Sequence, residues 1–273
     1  MRRTAIASVL LLFGGCRCER NEPATALPPG DASVCSIKQP ARGARHVTPS
    51  GRTFHVWTPS NYDGTRSYPL LFAVHGWRSN GRDFQKWFKM ESFTDDQAIV
   101  VYPDAKDIWD LDGTADLEFF DAMLDGMTNA YCIDRARVFA IGFSYGGKMV
   151  HHLGCKRAER FKGISVGDGS WVDGAPQCGR LPVFVTHRTR DDDELIEWGR
   201  DAARKWARVN GCSDETDTTD PTHGCVAWRG CTAPGSITFC EDTYFNDSWP
   251  HDWNHTIREE YLRLTWRWFA SLP

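Results

Sequence analysis

Arg137-Val138-Phe139-Ala140-Ile141-Gly142-Phe143-Ser144-Tyr145-Gly146-Gly147 reads as an apolar strand that breaks on a serine. A helix-compatible stretch follows over 148–156. In that strand–turn–helix setting the pentapeptide Gly142-Phe143-Ser144-Tyr145-Gly146 is a nucleophile elbow. The turn forces the serine backbone into a strained conformation. Glycines two positions to either side remove the Cβ atoms that would collide there. The hydroxyl then stands above a sheet edge, where a base reaches it.

Working outward, further apolar runs repeat at strand length. They are Tyr68-Pro69-Leu70-Leu71-Phe72-Ala73-Val74, Ala98-Ile99-Val100-Val101-Tyr102, Gly163-Ile164-Ser165-Val166, Pro182-Val183-Phe184-Val185-Thr186 and Ile237-Thr238-Phe239-Cys240. Near-continuous apolarity suits central parallel strands covered on both faces. Helical patterns over 84–92, 117–131, 148–157, 194–209 and 257–271 fall between and after them. Alternation of this kind predicts an α/β fold: a doubly wound, mostly parallel sheet with right-handed crossovers and helices on both faces. A hairpin around Pro49-Ser50-Gly51 opens it.

The chain has 273 residues and a net charge of −4, with its 32 Lys and Arg in no long cluster, so nucleic acid is excluded as a partner. Residues 1–15 read as an export signal, with Arg2 and Arg3 before an apolar core too short to span a bilayer. Gly14-Gly15-Cys16 resembles a bacterial lipobox, with Phe13 where leucine is usual. Cys16 is therefore the expected lipid-attachment residue, and a lipid anchor the expected membrane contact. The alternative is a freely secreted protein. Residues 16–34 are polar and Pro-rich, as a flexible tether is, and 35–273 form one catalytic domain, expected to be a monomer. Eight cysteines in that domain, none in a C-x-x-C pair, predict up to four disulfides in an oxidising compartment. A strand rising to Ser144 and a helix descending from it suggest a Cys132–Cys155 bridge.

A serine hydroxyl needs an imidazole to take its proton and a buried carboxylate to hold that imidazole. In this motif the chain order is serine, acid, histidine. Asp191, past the end of the 182–186 run, fits the acid, with Asp192 and Asp193 as rivals and at least one of the three expected to cap the next helix. His251 and His255 both precede the last helix. His251, in Trp249-Pro250-His251-Asp252-Trp253, is preferred as the base because its loop is stiffened by proline and flanked by indoles. The oxyanion hole is assigned to the N–H groups of Tyr145, after the nucleophile, and Trp77, in the loop His75-Gly76-Trp77. The His75 side chain is expected to brace that loop. Neither cofactor nor metal is expected. Asp104, Asp107, Asp110, Asp112 and Asp116 invite a calcium reading, but their spacing matches no ligand loop and turn formation explains them better. The aspartates and histidines likewise lack the spacing of a metal hydrolase.

These residues resemble the secreted esterases related to feruloyl esterases, acetyl xylan esterases and polyhydroxybutyrate depolymerases, over roughly residues 60–270. The marks are Pro69-Leu70-Leu71-Phe72-Ala73-Val74-His75-Gly76, the run from Cys132-Ile133-Asp134-Arg135 into the elbow, and Asn210-Gly211-Cys212. The resemblance implies an α/β-hydrolase fold and a carboxylic ester substrate. His187-Arg188-Thr189-Arg190-Asp191 matches the family's His-Gly-x-x-Asp except at Arg188, and Pro250 replaces the glycine of Gly-His-x-Trp. Twelve tryptophans include Trp77, Trp109, Trp171 and Trp253 near predicted site loops. Indoles stack on sugars and aromatic acyl groups, so these four are expected to bind a feruloyl or acetyl ester on a plant polysaccharide. The alternatives are a polyhydroxyalkanoate depolymerase, a serine peptidase, and a surface binding protein that kept the fold but lost catalysis.

Overall fold

The computed structural model describes residues 25–26, 35–171, 178–244 and 254–273. Eleven strands form one sheet: β1 (Thr25–Ala26), β2 (Arg42–Val47), β3 (Thr53–Trp57), β4 (Tyr68–Val74), β5 (Ile99–Pro103), β6 (Ile133–Phe143), β7 (Gly163–Gly167), β8 (Val183–Arg188), β9 (Thr216–Asp220), β10 (Cys225–Trp228) and β11 (Ile237–Asp242). Their spatial order is β1-β2-β3-β5-β4-β6-β7-β8-β11-β10-β9. From β5 across to β11 every neighbouring pair is parallel. The β2–β3 hairpin and the β9–β10 ribbon extend the two sides with antiparallel pairs.

Strands β4, β5, β7 and β8 are buried along their whole length, because helices cover both faces. Alternate side chains go to opposite faces, as the two-residue period requires. Leu70, Phe72 and Val74 join a core with Phe120, Met123, Met149, Leu153 and Trp206 from α2 (Ala115–Ala130), α3 (Tyr145–Lys156) and α4 (Ile196–Val209). Leu71 and Ala73 join the other core, with Phe84 and Phe88 of α1 (Gly81–Phe88) and Leu262, Trp266 and Phe269 of α5 (Glu259–Ser271). Phe139 and Phe269 stack at 4.5 Å. Burying each such ring contributes about 2–3 kcal/mol.

The β4 position decides where the site lies. The chain leaves β4 to β5 on one side and later returns to β6 on the other. A crevice opens beyond the carboxyl ends of two strands whose connections run in opposite directions. The loop after β4 and the elbow after β6 meet there.

The disulfides are Cys35–Cys132, Cys155–Cys178, Cys212–Cys231 and Cys225–Cys240. This corrects the expected Cys132–Cys155 pairing. Ile133 pairs with Tyr68 and Val138 with Leu70, so a bulge absorbs part of β6. The strand still climbs about 26 Å to the elbow, whereas eleven helical residues descend only about 17 Å. Cys132 therefore lies well below Cys155, and each finds another partner. The β9–β10 ribbon is the second departure. The polar, cysteine-rich stretch 211–235 carries two strands and is held by two bridges, and it lengthens the sheet.

Candidate active site

Ser144 has φ 55° and ψ −125°, the strained geometry a nucleophile elbow requires. Its N–H donates to Gly167 O at 2.9 Å, fixing the turn against β7. The flanking glycines are needed for close approach. A Cβ on Gly142 would lie 2.2 Å from Gly146 O, and one on Gly146 would lie 2.2 Å from Val74 O. Tyr145 opens α3, so its N–H is among the helix's first-turn donors that lack an acceptor within the helix.

The opposite wall is the loop after β4. A Cβ placed on Gly76 would sit 3.4 Å from Ser144 Cβ, so this backbone runs directly beside Ser144. His75 controls its direction. Ala105 N–H donates to His75 Nε2 at 3.1 Å, which leaves the ring proton on Nδ1, 2.8 Å from Gly76 O. Burial pushes this imidazole's pKa below its ordinary value, keeping it neutral. Holding the Gly76 carbonyl fixes the whole Gly76–Trp77 peptide plane, and with it the Trp77 N–H.

Trp109 completes this brace. Its Nε1–H donates to His75 O at 2.8 Å and its ring lies 4.7 Å from the imidazole. It is 1% exposed, so it packs behind the loop and does not line the cleft, where the sequence reading had put it. A buried indole N–H needs an acceptor, and the His75 carbonyl supplies one.

Asp191 follows β8 with its side chain out of contact with solvent. Its Oδ1 accepts the N–H groups of Asp193 at 2.9 Å and Glu194 at 2.8 Å. Its Oδ2 lies 2.7 Å from His255 Nδ1. Asp193 and Glu194 line the hollow beside it. His251 and Trp253 lie outside the described residues, as does Cys16. The imidazole brought to Asp191 among the described residues is that of His255, whose ring also packs 4.7 Å from Phe143.

Ser144 and His255 share the walls of one hollow of about 610 Å³. Trp77, Phe84, Trp87 and Phe143 line an aromatic side, with Trp77 and Trp87 each about half exposed. Lys148, Asp193 and Glu194 line a polar side. Trp87 and Phe143 pack at 5.0 Å, Trp77 and Tyr145 at 5.2 Å. Trp171 belongs to a second hollow rather than this one.

Three features were not anticipated from sequence. The first is Trp87, which α1 places in the aromatic wall of the hollow. Lys148 and Glu194 form a 2.6 Å ion pair between α3 and the Asp191 loop. The third is Asp168, at the end of β7 with φ 45°, which accepts the Arg188 N–H at 2.8 Å. Asp168, Asp191 and His255 each place one possible ligand atom within 4.8 Å of the others, the one such group among the described residues. Burial pushes the Asp168 carboxyl well above the usual range, and the neighbouring Asp191 adds to this. Each carboxylate already has protein donors, Asp168 the Arg188 N–H and Asp191 two main-chain N–H groups and the His255 imidazole, so hydrogen bonds account for the cluster. In the acidic loop, Asp110 Oδ1 accepts the Asp112 and Gly113 N–H groups, and Asp116 pairs with Arg52 at 2.6 Å.

No protein-family model matches the chain. It is 31% identical over 216 residues to "Probable feruloyl esterase C" of Aspergillus terreus, covering 73% of this chain and 78% of that one. It is 29% identical over 254 residues to "Feruloyl esterase C" of Emericella nidulans, covering 87% and 89%. Among solved structures, the acetyl xylan esterase from Aspergillus awamori superimposes with a TM-score of 0.61 at 16% identity, over 82% of this chain and 96% of that one.

Proposed function

The chain belongs to the feruloyl esterase family of α/β-hydrolases, and we propose that it is a serine esterase in which Ser144, His255 and Asp191 cleave a hydroxycinnamoyl ester of a polysaccharide. The observation that carries this reading is the 2.7 Å contact of His255 Nδ1 with Asp191 Oδ2, at the wall of the hollow that holds Ser144.

Asp191 fixes the His255 proton on Nδ1, leaving Nε2 free to take the Ser144 proton as Oγ attacks the ester carbon. The tetrahedral oxyanion accepts from the N–H groups of Trp77 and Tyr145. Collapse expels the sugar hydroxyl, which receives its proton from His255, and leaves an acyl group on Ser144. Water, deprotonated by His255, releases the acid. The aromatic wall of Trp77, Phe84, Trp87 and Phe143 supports a ringed acyl group over acetyl, since stacked rings bind more tightly than a methyl group does. The relatives' names point the same way. Four disulfides support export, and Cys16 supports a lipid anchor on the exported chain.

Hydrolysis of methyl ferulate and p-nitrophenyl acetate by the full chain, with Ser144→Ala, His255→Ala and His251→Ala alongside, tests this. Turnover vanishes in S144A, falls by about 10⁴-fold or more in H255A and stays within about tenfold in H251A. Loss in H251A with activity kept in H255A overturns the assignment of the base.

A further inference from the structure

A second hollow of about 370 Å³ adjoins the first and shares one lining residue with it, Lys148. Its other walls are Ser170, Trp171, Trp198, Asp201 and Lys205. Trp198, Asp201 and Lys205 stand at i, i+3 and i+7 on α4, hence on one helix face. Trp171 faces them from the chain after β7, and the Lys205 ammonium lies 5.8 Å over its ring. Trp171 is backed by Trp206 at 5.0 Å and His151 at 5.5 Å, which fixes the indole in place. Trp198 is 43% exposed and turns part of its indole to this hollow.

We propose that this hollow is a glycosyl subsite, holding a sugar ring of the polysaccharide next to the ring that carries the ester. The chemistry suits a pyranose or furanose. Two indoles offer apolar faces for the C–H side of the ring. Asp201 and Lys205, paired at 2.9 Å, offer an acceptor and a donor to its hydroxyls. The placement suits it too. Lys148 stands one helical turn past Ser144, about 6 Å along α3, so the second hollow begins where an alcohol leaving from Ser144 would lead. The aromatic side of the first hollow takes the acyl group, and the polar side passes the chain across Lys148 into the second. This rests on the esterase reading for the direction of the chain, but binding of sugar in the hollow does not.

Two measurements separate the parts. Xylohexaose and arabinoxylan oligosaccharides are titrated calorimetrically into the full chain and into Trp198→Ala and Asp201→Ala. In parallel, kcat and KM are measured for methyl ferulate and for feruloylated arabinoxylan oligosaccharides. Saturable oligosaccharide binding that weakens by about tenfold in W198A supports the subsite. So does a matching rise in KM for the feruloylated oligosaccharide alone, with methyl ferulate kinetics unchanged. No binding to the wild-type chain, or binding that W198A and D201A leave intact, overturns it. Equal losses on both esters overturn it as well, since a subsite for the alcohol cannot affect a methyl ester. Absence of any Ser144-dependent turnover would instead defeat the esterase reading and leave the binding result to stand on its own.

Discussion

Replacing Asp191 by asparagine changes almost no volume yet should disable the proposed triad, and hydrogen-bond accounting shows why. The carboxylate serves three donors: the Asp193 and Glu194 N–H groups at Oδ1 and the imidazole N–H at Oδ2. Asparagine has one carbonyl oxygen. If that oxygen stays with the two main-chain donors, the NH2 group faces His255. Nδ1 must then accept, the ring proton moves to Nε2, and the imidazole no longer takes the Ser144 proton. If the amide flips, the catalytic tautomer survives but the buried Glu194 N–H and the partly solvated Asp193 N–H both lose their acceptor. The buried donor costs about 1–3 kcal/mol and the partly solvated one about 0.5–1.5, so the active arrangement lies about 1.5–4.5 kcal/mol above the inactive one. That corresponds to a drop in kcat of about 10-fold to 2 × 10³-fold. Substrate binding does not use Asp191, so KM should stay within about threefold. Steady-state kinetics on methyl ferulate, with circular dichroism and melting curves to establish folding, measure this. A folded D191N enzyme with kcat within about tenfold of wild type would refute the reasoning.

Two further outcomes follow from packing and titration. Gly146→Ala puts a Cβ 2.2 Å from Val74 O and 2.4 Å from His75 O, both main-chain atoms at the end of the central strand. Urea unfolding should show a loss of about 3 kcal/mol or failure to fold, and a G146A protein of wild-type stability would contradict the close approach. His151 is buried, accepts the Trp206 indole N–H at 2.9 Å, and has its pKa pushed down by burial from 6.5 to about 3. The unfolded chain takes up this proton as pH falls through 6.5, while the folded chain does not. Stability is therefore intact above that pH and declines below it, by up to about 1.4 kcal/mol per pH unit until the folded histidine titrates. Burial lowers His187 as well and adds to this slope, while the raised Asp168 opposes it. His151→Gln, which keeps an acceptor for Trp206 but does not titrate, should lose less stability between pH 7 and 5 by urea midpoint. An unchanged slope would count against the assignment.

The parallel sheet was readable because its central strands are covered on both faces. That leaves continuous apolar runs such as 68–74 that no amphipathic helix produces. The elbow was readable because steric conflict demands glycine at 142 and 146. Short strands in a polar stretch gave no such signal: Thr216–Asp220 has four exposed residues of its five, and only pairing with β10 makes it a strand. The Cys132–Cys155 expectation failed because strand rise is about twice helix rise per residue, so that even with a bulge taking up part of its length β6 starts well below Cys155. Choosing between two histidines four residues apart depends on the path of a loop, which local pattern does not encode. The Trp109 role was missed because exposure was inferred from its loop position. Its indole N–H instead found an acceptor inside.

The two walls of the cleft differ in how freely they could be redesigned. Glu194 gives its N–H to Asp191, its carbonyl lies 2.6 Å from His187 Nε2, and its carboxylate grips Lys148 on the helix that begins at the elbow. The polar wall is thus part of the frame that aligns Asp191 with Ser144, and altering it for a new substrate would disturb that alignment too. Trp77 and Trp87 project from the other wall by side chains alone, while the peptide beside Trp77 is held from behind by His75. An engineer seeking a different acyl group should vary those two indoles and leave residues 148 and 194 untouched.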